Sequence, residues 1–319
     1  MMNDAHNGNT EEVVKSFDAV MDSLPAVSII VPAYNAEKDI ATLIESLLHL
    51  DYPKELLEII IVDNNSTDRT KEIVNRYSVK LLEENTIQSS YAARNKGIRN
   101  AKNKIMAFTD SDCVATPQWV KKGVKALVSE SADLVGGRVK FFYSERRTAA
   151  ELYDSITNMQ IKLNIKDRNV AKTANLFVKS SLFDKMGLFP DWVKSGGDVQ
   201  WTANATRNGC SLVYAAEAVV KHPARPLKSL LKKQYRVGRG QAHIRVGEWR
   251  SPWDFMCSIF RLFLPPSLPF IKTIIYQRGT TEMNKKVLSM WCVSYLCNIS
   301  MGLGILMELF GVFRPRAGK

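Results

Sequence analysis

The feature that most constrains the fold is a regular alternation of apolar and amphipathic segments between residues 27 and 128. Residues 27–31 (VSIIV) and 58–62 (EIIIV) are apolar, β-branched runs, which are typical of strands buried on both faces of a parallel sheet. Between them, residues 36–50 carry leucine and isoleucine at helical spacing. The same reading predicts strands at 79–82 and 104–109, and helices at 67–77, 90–101 and 117–128. This alternation predicts an α/β fold with a doubly wound, mostly parallel sheet.

Beyond residue 128 the alternation becomes weaker. Strands are predicted at 134–142, 174–178, 212–214 and 218–221. Helices are predicted at 149–165, 197–208 and 227–246. Residues 1–25 form a polar lead-in, in which residues 11–21 have the pattern of a short helix. The lead-in has no apolar segment typical of a secretory signal, so we expect the chain to begin in the cytoplasm.

The composition is globular, but the charge is concentrated in one place. Hydrophobic residues make up 45% of the 319 positions and charged residues 24%, which is enough to build a core. Residues 221–250 hold nine Lys or Arg against one acid and so carry +8 of the net +12. Such a block points to phosphates, anionic lipid or nucleic acid. The five cysteines lack paired metal-ligand spacing, which fits a reducing compartment.

Two carboxylates follow the predicted strand at residues 104–109. Asp110 and Asp112 stand one residue apart in the string FTDSDC. Ligands of open α/β sheets bind outside the carboxyl ends of the strands, and two neighbouring acids there need a positive partner. A divalent cation such as Mg²⁺ or Mn²⁺ meets that need, since it is held by carboxylates and substrate phosphates. The alternative is an ordinary polar turn, which Asp and Ser also favour.

Four strings in this order carry a resemblance to a known family. VSIIVPAYNAE, IIIVDNNSTDRT, AARNKGI and FTDSDC each place polar residues at a strand end or the start of a helix. Together they resemble the amino-terminal half of family 2 glycosyltransferases, over roughly residues 26–245. The resemblance implies the glycosyltransferase-A fold and the transfer of a sugar from a nucleoside diphosphate donor with the help of Mn²⁺ or Mg²⁺. UDP is a candidate donor nucleotide.

What the resemblance implies for individual residues starts with the donor. It assigns donor binding to Pro32, Ala33, Tyr34, Asn35, Glu37, Asp63, Arg94, Asp110 and Ser111. Asp63 matches an acid that hydrogen-bonds the nucleobase, although a helix-capping role is the alternative. Arg94 would lie near the donor, or else form a helix-surface ion pair of little energetic value. The expected metal ligands are Asp112 and, next to it, Asp110.

The second half of the chain supplies the other groups. Asp198, in SGGDVQW, resembles the family's acid at the start of a helix and is the candidate general base, with a plain helix-start acid as the alternative. In the string KKQYRVGRGQ, Gln234, Arg236 and Arg239 are candidates for contact with the diphosphate or with anionic lipid. The Gln-x-x-Arg-Trp motif of processive synthases is incomplete there, which argues against polymerisation. His222 is isolated in the sequence, so we expect a packing or surface role for it.

The carboxyl-terminal tail differs in kind from the rest. Residues 287–307 contain no charged side chain and are long enough to cross a membrane, with a buried core helix as the alternative. Residues 255–276 are apolar but contain prolines and charges, which favours an interfacial or re-entrant hairpin. The basic residues that flank the second segment are balanced, so they do not choose an orientation.

These observations give one prediction for the whole chain. A lead-in (1–25) precedes a catalytic domain (26–250), which divides into a nucleotide-sugar half (26–115) and an acceptor half (116–250), and a membrane-associated tail (251–319). We expect an inverting, metal-dependent glycosyltransferase of the hexosyltransferase class, anchored at the cytoplasmic face of the inner (plasma) membrane. Its acceptor would be a hydroxyl of a lipid-linked or membrane-proximal saccharide, in the synthesis of surface polysaccharide or glycolipid. We expect no nucleic-acid partner.

Two alternatives stay open at this level, namely a nucleotidyltransferase of sugar activation and a membrane-anchored basic binding module. The first would carry a glycine-rich, basic phosphate loop after the first strand, and VPAYNAE has neither glycine nor arginine. The second leaves the three aspartates unexplained and predicts salt-sensitive, metal-independent binding. The sequence does not specify the sugar, the nucleobase, the acceptor or the oligomeric state.

Overall fold

The structure is a computed structural model that describes residues 24–245 and 251–312. The predicted helix at residues 11–21 lies outside this range. Eight strands form one sheet: β1 Val27–Ala33, β2 Leu57–Asp63, β3 Lys80–Glu83, β4 Ile105–Thr109, β5 Val114–Ala115, β6 Leu134–Phe142, β7 Asn175–Lys179 and β8 Leu212–Pro223.

Thirteen α-helices accompany the sheet in the described residues. The eight helices that precede β8 in the chain are α1 Ile40–Leu48, α2 Thr70–Val74, α3 Ser90–Asn100, α4 Trp119–Ser129, α5 Ala149–Thr157, α6 Ile161–Arg168, α7 Ser181–Met186 and α8 Gly197–Arg207. The remaining five are α9 Leu227–Arg245, α10 Pro252–Leu262, α11 Leu268–Arg278, α12 Thr281–Asn284 and α13 Val287–Val312. A short 3₁₀ turn, Lys54–Leu56, precedes β2.

The strand order is β3-β2-β1-β4-β7-β6-β8-β5. Four of the seven pairings between described strands are parallel, including those of β1 with β2 and with β4. The other three pairings are antiparallel. The chain moves outward from β1 first to β2 and later to β4, so the order reverses at β1. In such sheets the crevice at the carboxyl ends of these strands binds the ligand. The doubly wound, mostly parallel sheet is therefore confirmed.

Helices cover both faces of the sheet because alternate residues of β1 point to opposite sides. Ile29 and Val31 are fully buried in one apolar cluster with Leu43 and Leu47 of α1. Ile30 belongs to the other cluster, on the side of α3. These two layers hold the ends of β1, β2 and β4 in a fixed arrangement.

Two local predictions differ from the structure, and one short strand was missed. The predicted helix at 149–165 is two helices, because Asn158 is extended and Met159 has a φ of +52°. The two short strands predicted between residues 212 and 221 are one strand, β8, whose pairing with β6 shifts register after Gly137. The two-residue strand β5 was not predicted, because so short a run has no periodicity to detect.

The carboxyl-terminal helices pack against the rest of the molecule. Ile271 and Met290 share a buried cluster with Leu152 of α5 and Leu230 of α9. Among the described residues, one stretch, Val287–Phe310, is long and apolar enough by length and composition to cross a membrane. The predicted apolar helix is thus present. The domain boundary at residue 250 stays a prediction.

Candidate active site

A cleft of about 1480 Å³ lies at the carboxyl ends of the central strands. It is lined by most of the residues that the sequence singled out: Pro32, Ala33, Tyr34, Asn35, Arg94, Asp110, Ser111, Asp112, Asp198, Gln234, Arg236 and Arg239. The side chains come from both halves of the chain, so the cleft joins the predicted donor half to the predicted acceptor half.

The loop after β1 is tied to the loop after β2. Asn35 has a φ of +47°, its N–H donates to Ser66 Oγ, and its side-chain oxygen accepts from the N–H of Thr67. Glu37, a predicted donor residue, accepts from the N–H of Arg69 through its carboxylate instead of lining the cleft. These bonds hold Tyr34, whose ring is 54% exposed, at the mouth of the cleft.

Asp63 ends β2 and is fully buried beside Ala33, its register partner on β1. Its Oδ2 accepts from the N–H of Ser66 at 3.0 Å. Its Oδ1 is also buried and has no hydrogen-bond partner in the described part of the chain. A buried acceptor without a donor is unfavourable, so this oxygen suits an additional N–H donor, although Asp63 itself is not among the residues that line the cleft.

The two acids of the FTDSDC string have different positive neighbours. Asp110 accepts from Arg94 at 2.5 Å, and the Arg94 side chain is only 4% exposed. Arg94 thus forms a buried ion pair rather than the surface pair considered from the sequence. Asp112 lies 3.5 Å from both His222 Nε2 and a guanidinium nitrogen of Arg225. Basic side chains therefore reduce the repulsion between the two carboxylates, for which the sequence analysis considered only a metal ion.

Three side-chain donor atoms, from Asp112, Cys113 and His222, lie within 4.8 Å of one another. The short strand β5 brings them together, because its antiparallel pairing of Val114 with Lys221 sets Cys113 opposite His222. Burial, with the two nearby aspartates, raises the pKa of the Cys113 thiol, so the sulfur stays protonated and is a poor ligand for a hard cation.

The chemistry of His222 fits metal ligation. Its Nδ1 lies 2.7 Å from the carbonyl of Pro223, which can only accept, so this nitrogen carries the proton. Its Nε2 lies 3.0 Å from a guanidinium nitrogen of Arg225 and 3.5 Å from a carboxylate oxygen of Asp112. A histidine ligand held by a backbone carbonyl through its other nitrogen is the usual arrangement around protein-bound metals. Asp112 and His222 therefore fit a divalent cation once Arg225 moves away from His222 Nε2, whereas Asp110 is paired with Arg94.

Asp198 stands at the start of α8 and lies deep in the cleft. Its carboxylate accepts from four donors of the described residues: Tyr91 OH at 3.1 Å, the N–H and hydroxyl of Thr173 at 3.0 and 3.2 Å, and the N–H of Val199 at 2.9 Å. Because residue 197 is glycine, the start of α8 can lie close to the Tyr91 ring, whereas a Cβ at this position would lie only 3.0 Å from that ring. Burial and the Asp198 carboxylate raise the pKa of Tyr91, so its phenol remains a donor.

A cluster of basic groups lies behind the metal candidates. Arg225 reaches from Asp112 to the fully buried Asp154, at 3.5 Å, and Lys233 Nζ lies 3.5 Å from the same carboxylate. Lys233 Nζ has no hydrogen-bond partner among the described residues. Burial and the Arg225 cation lower the pKa of Lys233 to about 7. The two cations of this cluster are shared with the carboxylates of Asp112 and Asp154.

Sequence reasoning did not assign His222, Arg225, Lys233 and Asp154 to the site. His222 is fully buried and packs on Phe141, as a packing role requires, but it also faces Asp112. The only local sign of these residues in the sequence was the string KHPAR, which places His222 and Arg225 just after a predicted strand. Its meaning depends on the pairing of β5 with β8, which joins positions more than 100 residues apart.

Comparisons with known proteins bear on the family and the fold. The family model described as glycosyl transferase family 2 matches residues 28–183. Glycosyltransferase AglE of Haloferax volcanii is 40% identical over 296 residues, which cover 89% of this chain and 96% of that protein. Other relatives are longer: the chain spans 32% of a poly(ribitol-phosphate) β-N-acetylglucosaminyltransferase, TarS, of Staphylococcus aureus, at 30% identity.

Two solved structures share the fold. A mannosyltransferase from Pyrobaculum calidifontis, in complex with GDP-Man and Mn²⁺, matches with a TM-score of 0.59 and 19% identity, over 93% of this chain and 94% of that one. TarS 1-349 in complex with UDP-GlcNAc matches with a TM-score of 0.52 and 18% identity, over 90% and 92%.

The fold and the relatives define an enzyme, a glycosyltransferase with the glycosyltransferase-A fold. The chain belongs to glycosyl transferase family 2. The resemblance found in the sequence is confirmed, and the nucleotidyltransferase and non-enzymatic alternatives are set aside.

Proposed function

We propose that this enzyme is an inverting, divalent-metal-dependent glycosyltransferase that uses a nucleoside diphosphate sugar. Its acceptor is a hydroxyl of a lipid-linked or membrane-proximal saccharide, and it acts at the cytoplasmic face of the membrane. The observation that carries the proposal is the convergence of Asp112, Arg225 and Asp198 on one cleft at the switch point of the sheet, with the buried His222 next to Asp112.

The donor nucleoside would bind over the ends of β1 and β2. Asp63 offers a buried carboxylate oxygen without a partner in the described chain, which suits a ring N–H of the base. Tyr34 lines the cleft and is exposed, so its ring can cover the nucleoside. The complexes of the two structural relatives with GDP-Man and UDP-GlcNAc support a nucleotide sugar as donor.

The donor diphosphate would lie in the cleft beside Asp112, within reach of Arg225 and Lys233, which also line it. Asp112 and His222 would hold Mn²⁺ or Mg²⁺, which acts as a Lewis acid that neutralises the departing diphosphate. Mn²⁺ in the mannosyltransferase complex supports this assignment. Arg225 and Lys233 add positive charge on the same side of the cleft, where the leaving group develops negative charge. Gln234 and Arg236 line the cleft from the same helix.

Asp198 is the candidate general base. An acceptor hydroxyl must replace one of its four donors, and the Thr173 hydroxyl, at 3.2 Å, makes the longest of these bonds. Tyr91 and the Thr173 N–H would then hold the carboxylate while it takes the proton. Direct attack by the deprotonated oxygen on the face opposite the diphosphate inverts the anomeric centre in a single displacement.

Calorimetric binding of UDP, GDP and dTDP, with and without Mn²⁺, tests the donor site in wild type and in Asp112→Ala. We expect one nucleotide to bind well only with metal, and the variant to lose the metal effect. Asp133→Ala, at the opposite edge of the sheet, is the matched control and should bind like wild type. Metal-indifferent binding of all three nucleotides, or none, would overturn the proposal.

A further inference from the structure

We propose that the carboxyl-terminal helices form a monotopic docking face that lies on one leaflet of the membrane, and that α13 does not cross the bilayer. This inference rests on the membrane-proximal acceptor of the proposed function. The docking face consists of exposed apolar side chains on α10 and α13: Trp253, Met256, Phe260, Leu288, Leu296, Leu303, Met307 and Phe310.

The exposed residues of α13 form a single stripe. Leu288, Leu296, Leu303, Met307 and Phe310 are between 40% and 67% exposed. At 3.6 residues per turn they fall within an arc of roughly 100°. A stripe of large apolar side chains along a whole helix is unusual for a surface that faces only water.

The opposite side of α13 is packed tightly on α9. A Cβ at Gly304 would lie 2.1 Å from the carbonyl oxygen of Tyr235, and a Cβ at Gly238 would lie 2.1 Å from that of Met301. The two backbones are therefore in direct contact. Ser300 donates to the carbonyl of Leu231 at 2.7 Å, nearer the start of α9.

The partner helix α9 is strongly basic, which disfavours a spanning arrangement even though some of its charges face the cleft. Lys232 and Arg236 are exposed, and Arg239 forms an ion pair with Glu308 of α13 at 2.6 Å. If α13 crossed the bilayer while packed in this way, α9 would enter the hydrocarbon with these charges. Charged side chains at the centre of a membrane are costly and rare. A helix with one protein-covered side and one apolar side fits the plane of the interface instead.

The helix α10 repeats the pattern. Trp253, Met256 and Phe260 follow one another at positions i, i+3 and i+7, and each is at least 59% exposed. The buried Ile259, on another side of the helix, packs with Ile305 of α13. The two stripes thus belong to helices that pack together.

The surroundings of the docking face fit an anionic leaflet. The tail carries exposed cations at Arg261, Lys272, Arg278 and Lys285, against Asp254 and Glu282. Basic residues next to an apolar face are attracted to anionic lipids. The ring of Tyr276, 91% exposed, suits the headgroup level. Lipid is therefore the occupant that the surface favours.

The arrangement connects the membrane to the active site. Gln234 and Arg236 of α9 line the cleft, and Gly238 of the same helix touches α13. One helix thus forms a wall of the cleft and the support of the docking face. A saccharide acceptor that is attached to a lipid would need to extend only a short way from the leaflet.

Vesicle sedimentation of the full chain tests the docking face. Wild type should sediment with phosphatidylcholine–phosphatidylglycerol vesicles and less with phosphatidylcholine alone. Combining Phe260→Ser, Leu288→Ser and Leu303→Ser should lower vesicle affinity at least tenfold. The control, Val128→Ser with Phe142→Ser, removes exposed apolar side chains elsewhere and should bind like wild type. Unchanged binding by the triple variant would overturn the proposal.

A second measurement separates docking from spanning. With epitope tags at both ends of the chain, external protease should remove both tags from protein in sealed membrane vesicles. Protection of one tag would show that the chain spans the membrane and would overturn the proposal. A dimer of the wild type that the triple variant abolishes would show that the docking face binds a second copy of the chain, and would also overturn it. Nucleotide binding without membranes is measured on every variant. Its absence throughout would refute the proposed function and leave the docking result standing.

Discussion

Replacing Asp63 by Asn should weaken nucleotide binding without destabilising the fold. The buried Asp63 uses one carboxylate oxygen within the described chain, towards the N–H of Ser66 at 3.0 Å, and its other oxygen has no partner there. In the variant, the amide oxygen can still accept from Ser66. Its NH₂ group then replaces the unpaired oxygen and meets a base N–H donor to donor.

The magnitude follows from the hydrogen bond that is lost. A hydrogen bond to a charged acceptor contributes about 1.5–3 kcal/mol. At about 1.4 kcal/mol per factor of ten, nucleotide affinity should fall roughly 10- to 150-fold. The free energy of unfolding should stay the same or rise by about 1 kcal/mol, because a buried, partly unpaired charge is removed.

The assay combines calorimetric titration of the preferred nucleoside diphosphate with urea unfolding of the ligand-free protein. Asp133→Asn is the matched control, since Asp133 accepts from Ser211 and Lys179 at the edge of the sheet away from the cleft. That variant should lose about 1 kcal/mol of stability and keep its nucleotide affinity. If Asp63→Asn binds nucleotide within twofold of wild type, or loses as much stability as the control, the reasoning is refuted.

Three further predictions concern the metal, the base and the basic cluster. His222→Ala should reduce the Mn²⁺-dependent gain in nucleotide affinity at least tenfold in calorimetry, and an unchanged gain would exclude His222 as a ligand. Asp198→Asn should lower turnover roughly 10²–10⁴-fold in a sugar-transfer assay with unchanged nucleotide affinity, and equal losses in both would contradict the base assignment. Lys233 has a pKa of about 7 when folded and about 10.4 when unfolded, so the unfolded chain binds more protons between these values. Wild-type stability in urea unfolding should therefore rise from about pH 7 to 10 relative to Lys233→Met, and parallel pH profiles would exclude this effect.

The parts of the fold that local sequence determines were predictable. The buried runs of β1 and β2 and the helices after them follow from hydrophobic periodicity, and their boundaries moved by only a few residues. The polar residues at the strand ends, such as Asp63 and Asp112, follow from the same reading, because the topology of parallel strands places their carboxyl ends on one edge. For this reason, most of the residues that line the cleft could be predicted from the sequence.

The parts that depend on distant pairing were not predictable. His222 faces Asp112 only because a two-residue strand pairs with β8, and Lys233 becomes buried only when α9 packs beside α5. The tail shows the same limit. Length and composition make residues 287–307 suitable for a span, while the glycine contacts between α9 and α13 that place it beside the catalytic cleft have no local signature.

The pairing of β5 with β8 also affects the order in which the protein can mature. The nucleoside end of the cleft is built from β1, β2 and β4, all of which leave the ribosome before residue 110. The candidate metal pair requires β8, which is completed more than 100 residues later. Contacts of such long range form late because the intervening chain must be ordered first. The strands around Asp63 are therefore synthesised well before His222 can be set opposite Asp112, and the candidate metal pair can form only after β8 has left the ribosome.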